Sequence, residues 1–260
     1  MLQIYQKPAA IRQDVHSDVC VQRQPDFSFA RESNLAPVLF GEFEPACLQF
    51  PIVFTGETEA TLPVALLGLR ENENVFVDAA GQWTGGYIPG FFRRYPFVFS
   101  TDSDDTLTLC VDEGHTGVNR DGRGERLFDS EGNRTLYLQE VLKFATAYQE
   151  NYRLTRVLCD RLRSLDLLEP ATARISAPDG QSRALTGFSI ISRQRLAALS
   201  DAEVGAMYRD GSMEACFLHL ASLRNMDRLS AAFGTESLAP SLSDVADAEA
   251  AGAADMLNAE

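Results

Sequence analysis

From Thr135 to Leu165 the chain reads TLYLQEVLKFATAYQENYRLTRVLCDRLRSL. Leu138, Val141, Leu142, Ala145, Tyr148, Tyr152, Leu158, Leu162 and Leu165 recur mainly at three- and four-residue steps, the spacing that gathers side chains on one face of an α-helix. It predicts an amphipathic helix of about thirty residues that ends before Glu169-Pro170, because proline cannot continue a helix. The chain on either side follows a different rhythm, and that contrast sets the fold class.

Up to Arg134, short apolar runs are broken by Pro, Gly, Asn and Asp, the signature of strands and loops. CLQFPIVFTG (Cys47–Gly56) reads as a strand, and Thr61–Trp83 as two strands around a turn at Glu71–Asn74. PFVFSTDSDDTLTLCVDEG (Pro96–Gly114) repeats the form, with its acidic turn at Asp102–Asp105. The glycine- and charge-rich stretch His115–Thr135 reads as a surface loop. Beyond the long helix, Ala173–Ser192 forms a further hairpin around Pro178-Asp179-Gly180. Ser200 and Glu203 make a capping box that opens a helix through Tyr208, and Met213–Phe233 supplies a last amphipathic helix. The class is therefore α+β: an antiparallel β-sheet built from hairpins in the N-terminal half, a long amphipathic helix, a further hairpin and C-terminal helices. One domain is expected over residues 1–234, followed by a mobile tail over 235–260. From Glu236 to Glu260 that tail carries six acidic residues, many alanines, and neither Lys nor Arg.

The formal charge of -14 sets the chain against nucleic acid and anionic membrane surfaces, which it would repel. Five cysteines are scattered without a Cys-x-x-Cys pair, which fits reduced thiols. Three histidines, His16, His115 and His219, lie in separate regions, so no metal site and no cofactor are expected. No apolar run approaches the roughly 18 residues of a membrane span, and the N-terminus lacks a secretory pattern. A cytoplasmic location is the expectation, with signal-peptide-independent export left open.

The densest stretch for binding chemistry is GGYIPGFFRRYPFVFS (Gly85–Ser100). If it is extended, Arg93 and Arg94 point to opposite faces. One reading gives a guanidinium, helped by Trp83, Tyr87 and Tyr95, a carboxylate or phosphate to clamp and flat rings to stack on it. The other pairs Arg93 or Arg94 internally with Asp78, Asp129 or Glu42. Trp83-Thr-Gly-Gly-Tyr87 has the glycines of a tight turn packed by aromatics but no phosphate-loop pattern. Asp26–Arg31 reads as a short strand that sets Arg31 beside Phe27 and Phe29, in reach of Glu42 or Glu44. Asp121–Glu125 lacks the ligand series of a calcium loop, and no nucleophile elbow occurs. His219 and Cys216 fall among apolar residues of the last helix and read as core, while Asn225 and Arg228 offer a polar edge or cap neighbouring carbonyls.

A set of short motifs in register adds a resemblance. Asp26-Phe-Ser-Phe-Ala-Arg31, Phe50-Pro-Ile-Val-Phe54, Ala65-Leu-Leu-Gly-Leu69, Asn74-Val-Phe-Val-Asp78, Gly86-Tyr-Ile-Pro89, Arg93-Arg-Tyr-Pro-Phe97, Leu127-Phe-Asp129 and Leu167-Leu-Glu-Pro170 resemble the bacterial SapC family over residues 15–232. The resemblance implies a bacterial protein named for association with a paracrystalline surface layer, and it brings no list of catalytic residues. The function it implies is a non-catalytic accessory or interaction factor. The alternative is a small-ligand-binding protein or enzyme, its site formed by Trp83, Tyr87, Arg93, Arg94 and Tyr95. The expected partner is accordingly a protein or a small anionic ligand.

Overall fold

The long helix forms at Leu136–Ser164, 29 residues, where its spacing puts it. The Thr135 hydroxyl accepts the Leu138 N–H at its start, and Arg161 and Arg163 occupy its last turn, where the helix dipole favours positive charge. The computed structural model describes residues 4–22, 26–56, 60–101, 106–176, 182–232 and 237–238. In chain order its elements are β1 (Pro8–Ala10), α1 (Gln13–His16), β2 (Cys20–Val21), β3 (Leu35–Pro37), α2 (Phe43–Cys47), β4 (Ile52–Thr55), β5 (Leu62–Leu66), α3 (Gly90–Arg93), β6 (Phe97–Thr101) and β7 (Leu107–Asp112). There follow β8 (Val118–Asn119), β9 (Glu125–Arg126), α4 (Leu136–Ser164), β10 (Leu168–Ser176), β11 (Ser182–Ile191), α5 (Arg193–Ala197), α6 (Asp201–Arg209), α7 (Ser212–Ser222), α8 (Asn225–Ala232) and β12 (Ser237–Leu238). Antiparallel sheets and helices together make the fold α+β.

The strands form a six-stranded sheet in the order β12-β10-β11-β4-β5-β3, and two three-stranded sheets, β1-β7-β6 and β8-β2-β9. The β6–β7 hairpin pairs Phe97 with Val111 and Thr101 with Leu107; its expected acidic turn lies outside the described residues. The β10–β11 hairpin starts earlier than expected, pairing Leu168 with Ile191 across Glu169-Pro170, and its Pro-Asp-Gly turn also lies outside the described residues. The expected tail does too, apart from Ser237–Leu238, which pairs with Arg174 and Ile175 of β10.

Four local expectations need correction. The hairpin across Glu71–Asn74 does not form, because β5 already has β4 on one edge and β3 on the other. Residues 75–78 are left with a single bridge, Val77 to Trp83. Cys47, read as strand, closes α2, and the strand begins at Ile52. The loop His115–Thr135 contains β8 and β9, which both pair with Cys20 and Val21. The last amphipathic stretch is broken in two, α7 and α8, between Ser222 and Asn225.

Alternation along β4 explains why the six-stranded sheet is covered on both faces. Ile52 and Phe54 join one apolar cluster, with Phe43, Phe50, Phe92, Leu158, Leu162, Met207 and Cys216. Val53 joins another, with Val64, Leu66, Phe188, Met226 and Leu229, so α8 covers that side. A third cluster holds Val19, Phe97, Val111, Leu127, Leu138 and Ala145. Helix α4 spans two of these clusters: Leu138 and Ala145 enter the third, Leu158, Cys159 and Leu162 the first. The polar-aromatic residues of Gly85–Ser100 meet α4 at Phe144 and Tyr148, between those two apolar halves.

Candidate functional site

Arg93 and Arg94 lie not in an extended segment but at the end of a helical turn. The Arg94 N–H donates to the Gly90 carbonyl at 3.0 Å, and Arg93 N–H to the Pro89 carbonyl at 3.1 Å. Consecutive residues of a helical turn diverge by about 100°, so the two guanidiniums reach different neighbours along the same side of α4 rather than opposite faces of a sheet. Arg93 lies 5.4 Å from the Phe144 ring centre, and Arg94 4.6 Å from that of Tyr148, one turn further along α4.

Arg93 is held internally. Its Nε donates to the Ile88 carbonyl at 2.9 Å and an Nη to the Tyr87 hydroxyl at 3.1 Å, with a Glu42 oxygen 3.6 Å away. Glu42 is the hub. Although it is 8% exposed, one oxygen accepts the Tyr87 hydroxyl and the Gly90 N–H, each at 2.6 Å, and the other accepts the Leu39 N–H at 2.9 Å. A buried carboxylate requires this saturation, since each unmet lone pair in a low-dielectric interior is costly. Burial and the bond to Glu42 both push the Tyr87 phenol far above its usual range. Trp83 is a packing residue here: its indole N–H donates to the Tyr87 carbonyl at 2.8 Å, and Phe27, Phe50, Phe76 and Phe92 surround it. Gly85 is required at this turn, because a Cβ there would lie 2.8 Å from the Trp83 indole nitrogen.

Tyr95 belongs to a second hub. Its hydroxyl donates at 3.0 Å to Asp112, a fully buried carboxylate that also accepts the backbone N–H groups of Gln6, Lys7 and Gly114. Burial alone would raise the Asp112 pKa, but these donors outweigh it and hold the carboxyl below its ordinary value. Asp112 thereby ties the N-terminal segment to β7, and Tyr95 is part of the tie.

Arg94 differs from the other four. It is half-buried and packs by cation–π geometry against Tyr148, Phe91 and Tyr5, with no ion pair to a carboxylate among the described residues. Its Nε is closed off from solvent and has no hydrogen-bond partner.

Arg31, expected on a strand beside Glu42 or Glu44, instead follows a 3-10 turn at Ser28–Ala30 and donates to the carbonyls of Asp78 and Ala79. Asn225 and Arg228 cap carbonyls, the former those of Cys47 and Phe50, the latter that of Leu48. All five cysteines are free and buried, and burial raises the Cys216 thiol to about 12. Among the described residues no cluster of His, Cys, Asp or Glu is arranged to hold a metal ion. No helix among them is long and apolar enough to cross a membrane.

Sequence reasoning named Glu42 only as one of several possible partners and did not single out Asp112, Tyr5 or Tyr148 for the site. Apart from their residue types, nothing local marks them.

The SapC family model matches residues 11–229, which takes in both carboxylate hubs, both arginines and the whole of α4. This chain belongs to the SapC family. No curated protein and no solved structure matches it, so the roles of residues in this SapC chain rest on its own geometry.

That geometry makes a direct prediction for Arg93. Lysine cannot keep both the Ile88 carbonyl and the Tyr87 hydroxyl, and 43% of the Arg93 side chain is exposed, so water partly compensates. Arg93→Lys is expected to lower the unfolding free energy by about 0.5–1.5 kcal/mol, read from urea midpoints. An unchanged midpoint would show that these bonds add nothing to stability.

Proposed function

We propose that this SapC-family chain is a non-catalytic bacterial accessory protein that binds a protein component of surface-layer material. The link to the surface layer comes from the family name. The observation that carries the interaction role is the exposure of large apolar side chains on helices packed together. Tyr208 on α6 is 79% exposed, Phe217 on α7 56%, and Leu48, just after α2, 65%. Helix α7 packs against both α6 and α2. Large apolar side chains left exposed on and beside packed helices are what a protein partner can cover. The internal engagement of Trp83, Tyr87, Arg93 and Tyr95 agrees with a role that does not depend on them as reacting groups.

The test is co-sedimentation of the purified full chain with surface-layer protein from the same organism. Binding is expected, and it should weaken by roughly tenfold or more when Tyr208 and Phe217 are both replaced by serine, with the circular dichroism unchanged. Absence of binding, or binding untouched by the double substitution, overturns the proposal.

A second reading, a small-ligand-binding protein or enzyme for an anionic or planar group, is favoured by one observation: among the described residues Arg94 has no carboxylate partner.

A further inference from the structure

The surroundings of Arg94 are incomplete in a specific way. Three rings pack around the guanidinium, with centres at 4.6 Å for Tyr148, 4.9 Å for Phe91 and 5.8 Å for Tyr5. Rings stabilise a cation and fix its plane, but they do not take its hydrogen bonds. The Tyr5 hydroxyl spends its own proton on the Phe97 carbonyl at 3.0 Å, and the Arg94 charge opposes the rise that burial gives the Tyr5 pKa. Among the described residues the Arg94 Nε has no acceptor. Across the cluster, the Tyr148 hydroxyl makes no hydrogen bond to a described residue, and burial raises its pKa against the opposing pull of Arg94.

Neither neighbouring carboxylate can supply what is missing. Glu42 is engaged by Leu39, Tyr87 and Gly90 with Arg93 beside it. Asp112 is engaged by Gln6, Lys7, Gly114 and Tyr95. Both are fixed by backbone N–H groups, so neither can swing toward Arg94 without leaving buried donors unmet. A half-buried guanidinium with no carboxylate partner among the described residues is left to take a further acceptor on its terminal nitrogens, since its Nε is closed off.

We propose that Arg94 and Tyr148 form a binding site for the oxyanion end, carboxylate or phosphate, of a small ligand. The guanidinium offers a planar fork, and the Tyr148 hydroxyl beside it a further donor. Both oxyanions can accept from such a set, which a halide cannot match in geometry. The rings of Phe91, Tyr148 and Tyr5 flank the same place and would pack on an apolar or flat portion of the ligand. The chain's overall negative charge does not preclude this, because charges beyond about 8–10 Å are largely screened at physiological ionic strength. The inference rests on the second reading above and narrows it from the Trp83–Tyr95 group to Arg94 and residues outside that group.

The experiment follows thermal unfolding of the full chain during titration with sodium acetate or with inorganic phosphate, at fixed pH and with ionic strength held by chloride. The wild type is expected to gain in Tm with at least one of the two, and the more effective anion identifies the oxyanion class. Tyr148→Phe removes a hydroxyl and keeps the ring, so the anion-free Tm should stay close to wild type while the apparent affinity falls by about tenfold. Arg94→Gln should abolish the response, and Arg93→Gln should keep it. No anion response in the wild type, or one undiminished in both Tyr148→Phe and Arg94→Gln, overturns the site. Native mass spectrometry of the protein purified from its own cells separates the two levels. A small molecule that stays bound to Arg94→Gln sinks this site and leaves the ligand-binding reading standing; no bound small molecule together with no anion response sinks both.

Discussion

Replacing Glu42 by alanine is expected to lower the unfolding free energy by about 3–5 kcal/mol, the largest loss for any single polar side chain of the arginine-bearing region. The argument follows from what remains behind. With the carboxylate gone, the Gly90 N–H and Leu39 N–H stay buried without an acceptor, and the Tyr87 hydroxyl loses the partner it reached at 2.6 Å. Each such group costs about 1–3 kcal/mol when left unmet. Arg93 loses its nearest carboxylate as well, at a smaller cost because water reaches it. Glu42→Gln should cost less than alanine, since one carbonyl oxygen can still accept the Gly90 and Tyr87 protons, but its amide group then turns a donor toward the Leu39 N–H. A double-mutant cycle between Glu42→Ala and Tyr87→Phe should give a coupling of about 1 kcal/mol, larger than that between Glu42→Ala and Arg93→Gln. Urea unfolding measures all of these. A loss below about 1 kcal/mol for alanine would mean that water enters and replaces the carboxylate, and that Glu42 is not the hub.

Local signals carried much of the fold. The step of three and four residues from Leu138 onward marks α4, and the apolar runs around Asp102–Asp105 mark β6 and β7, because both depend on neighbours in sequence. Val75–Asp78 has the composition of a strand, yet it is not one. Whether a strand forms depends on a free sheet edge, and β5 has none left once β3 and β4 are paired to it. The segment around Arg93 and Arg94 misleads for a related reason: its aromatics suggest an extended run, while Pro89-Gly90 starts a helical turn that carries both arginines. The carboxylate hubs were least legible. Glu42 meets Gly90 across 48 residues and Asp112 meets Gln6 across 106, so neither pairing leaves a pattern in the local sequence. Composition counts both as ordinary acidic residues, though each is buried and saturated with donors. His219 and Cys216 show the reverse: their apolar flanks indicate core, and both are fully buried.

His219 gives the protein a built-in sensitivity to acid. Its ring lies 5.3 Å from that of Phe54, it is wholly inaccessible to solvent, and among the described residues neither ring nitrogen has a hydrogen-bond partner. Burial alone pulls its pKa down to about 3, against about 6.5 in an unfolded chain. Between those values the unfolded chain binds a proton that the folded chain refuses, so stability falls as pH drops below about 6.5 and continues to fall toward about 3. The loss from this residue is about 2 kcal/mol by pH 5 and approaches 4–5 kcal/mol at the lower limit. His115, whose pKa burial also lowers, acts in the same direction, so the test is a difference between two proteins. His219→Leu should differ from wild type by no more than about 1–2 kcal/mol at pH 7.5, because a buried imidazole without partners is exchanged for an apolar side chain of similar size. From about pH 6.5 to 4.5, urea midpoints of the wild type should then fall faster than those of His219→Leu. Parallel curves over that window would place the proton uptake elsewhere and would mean that His219 has a partner, a buried water included, that accepts its charge.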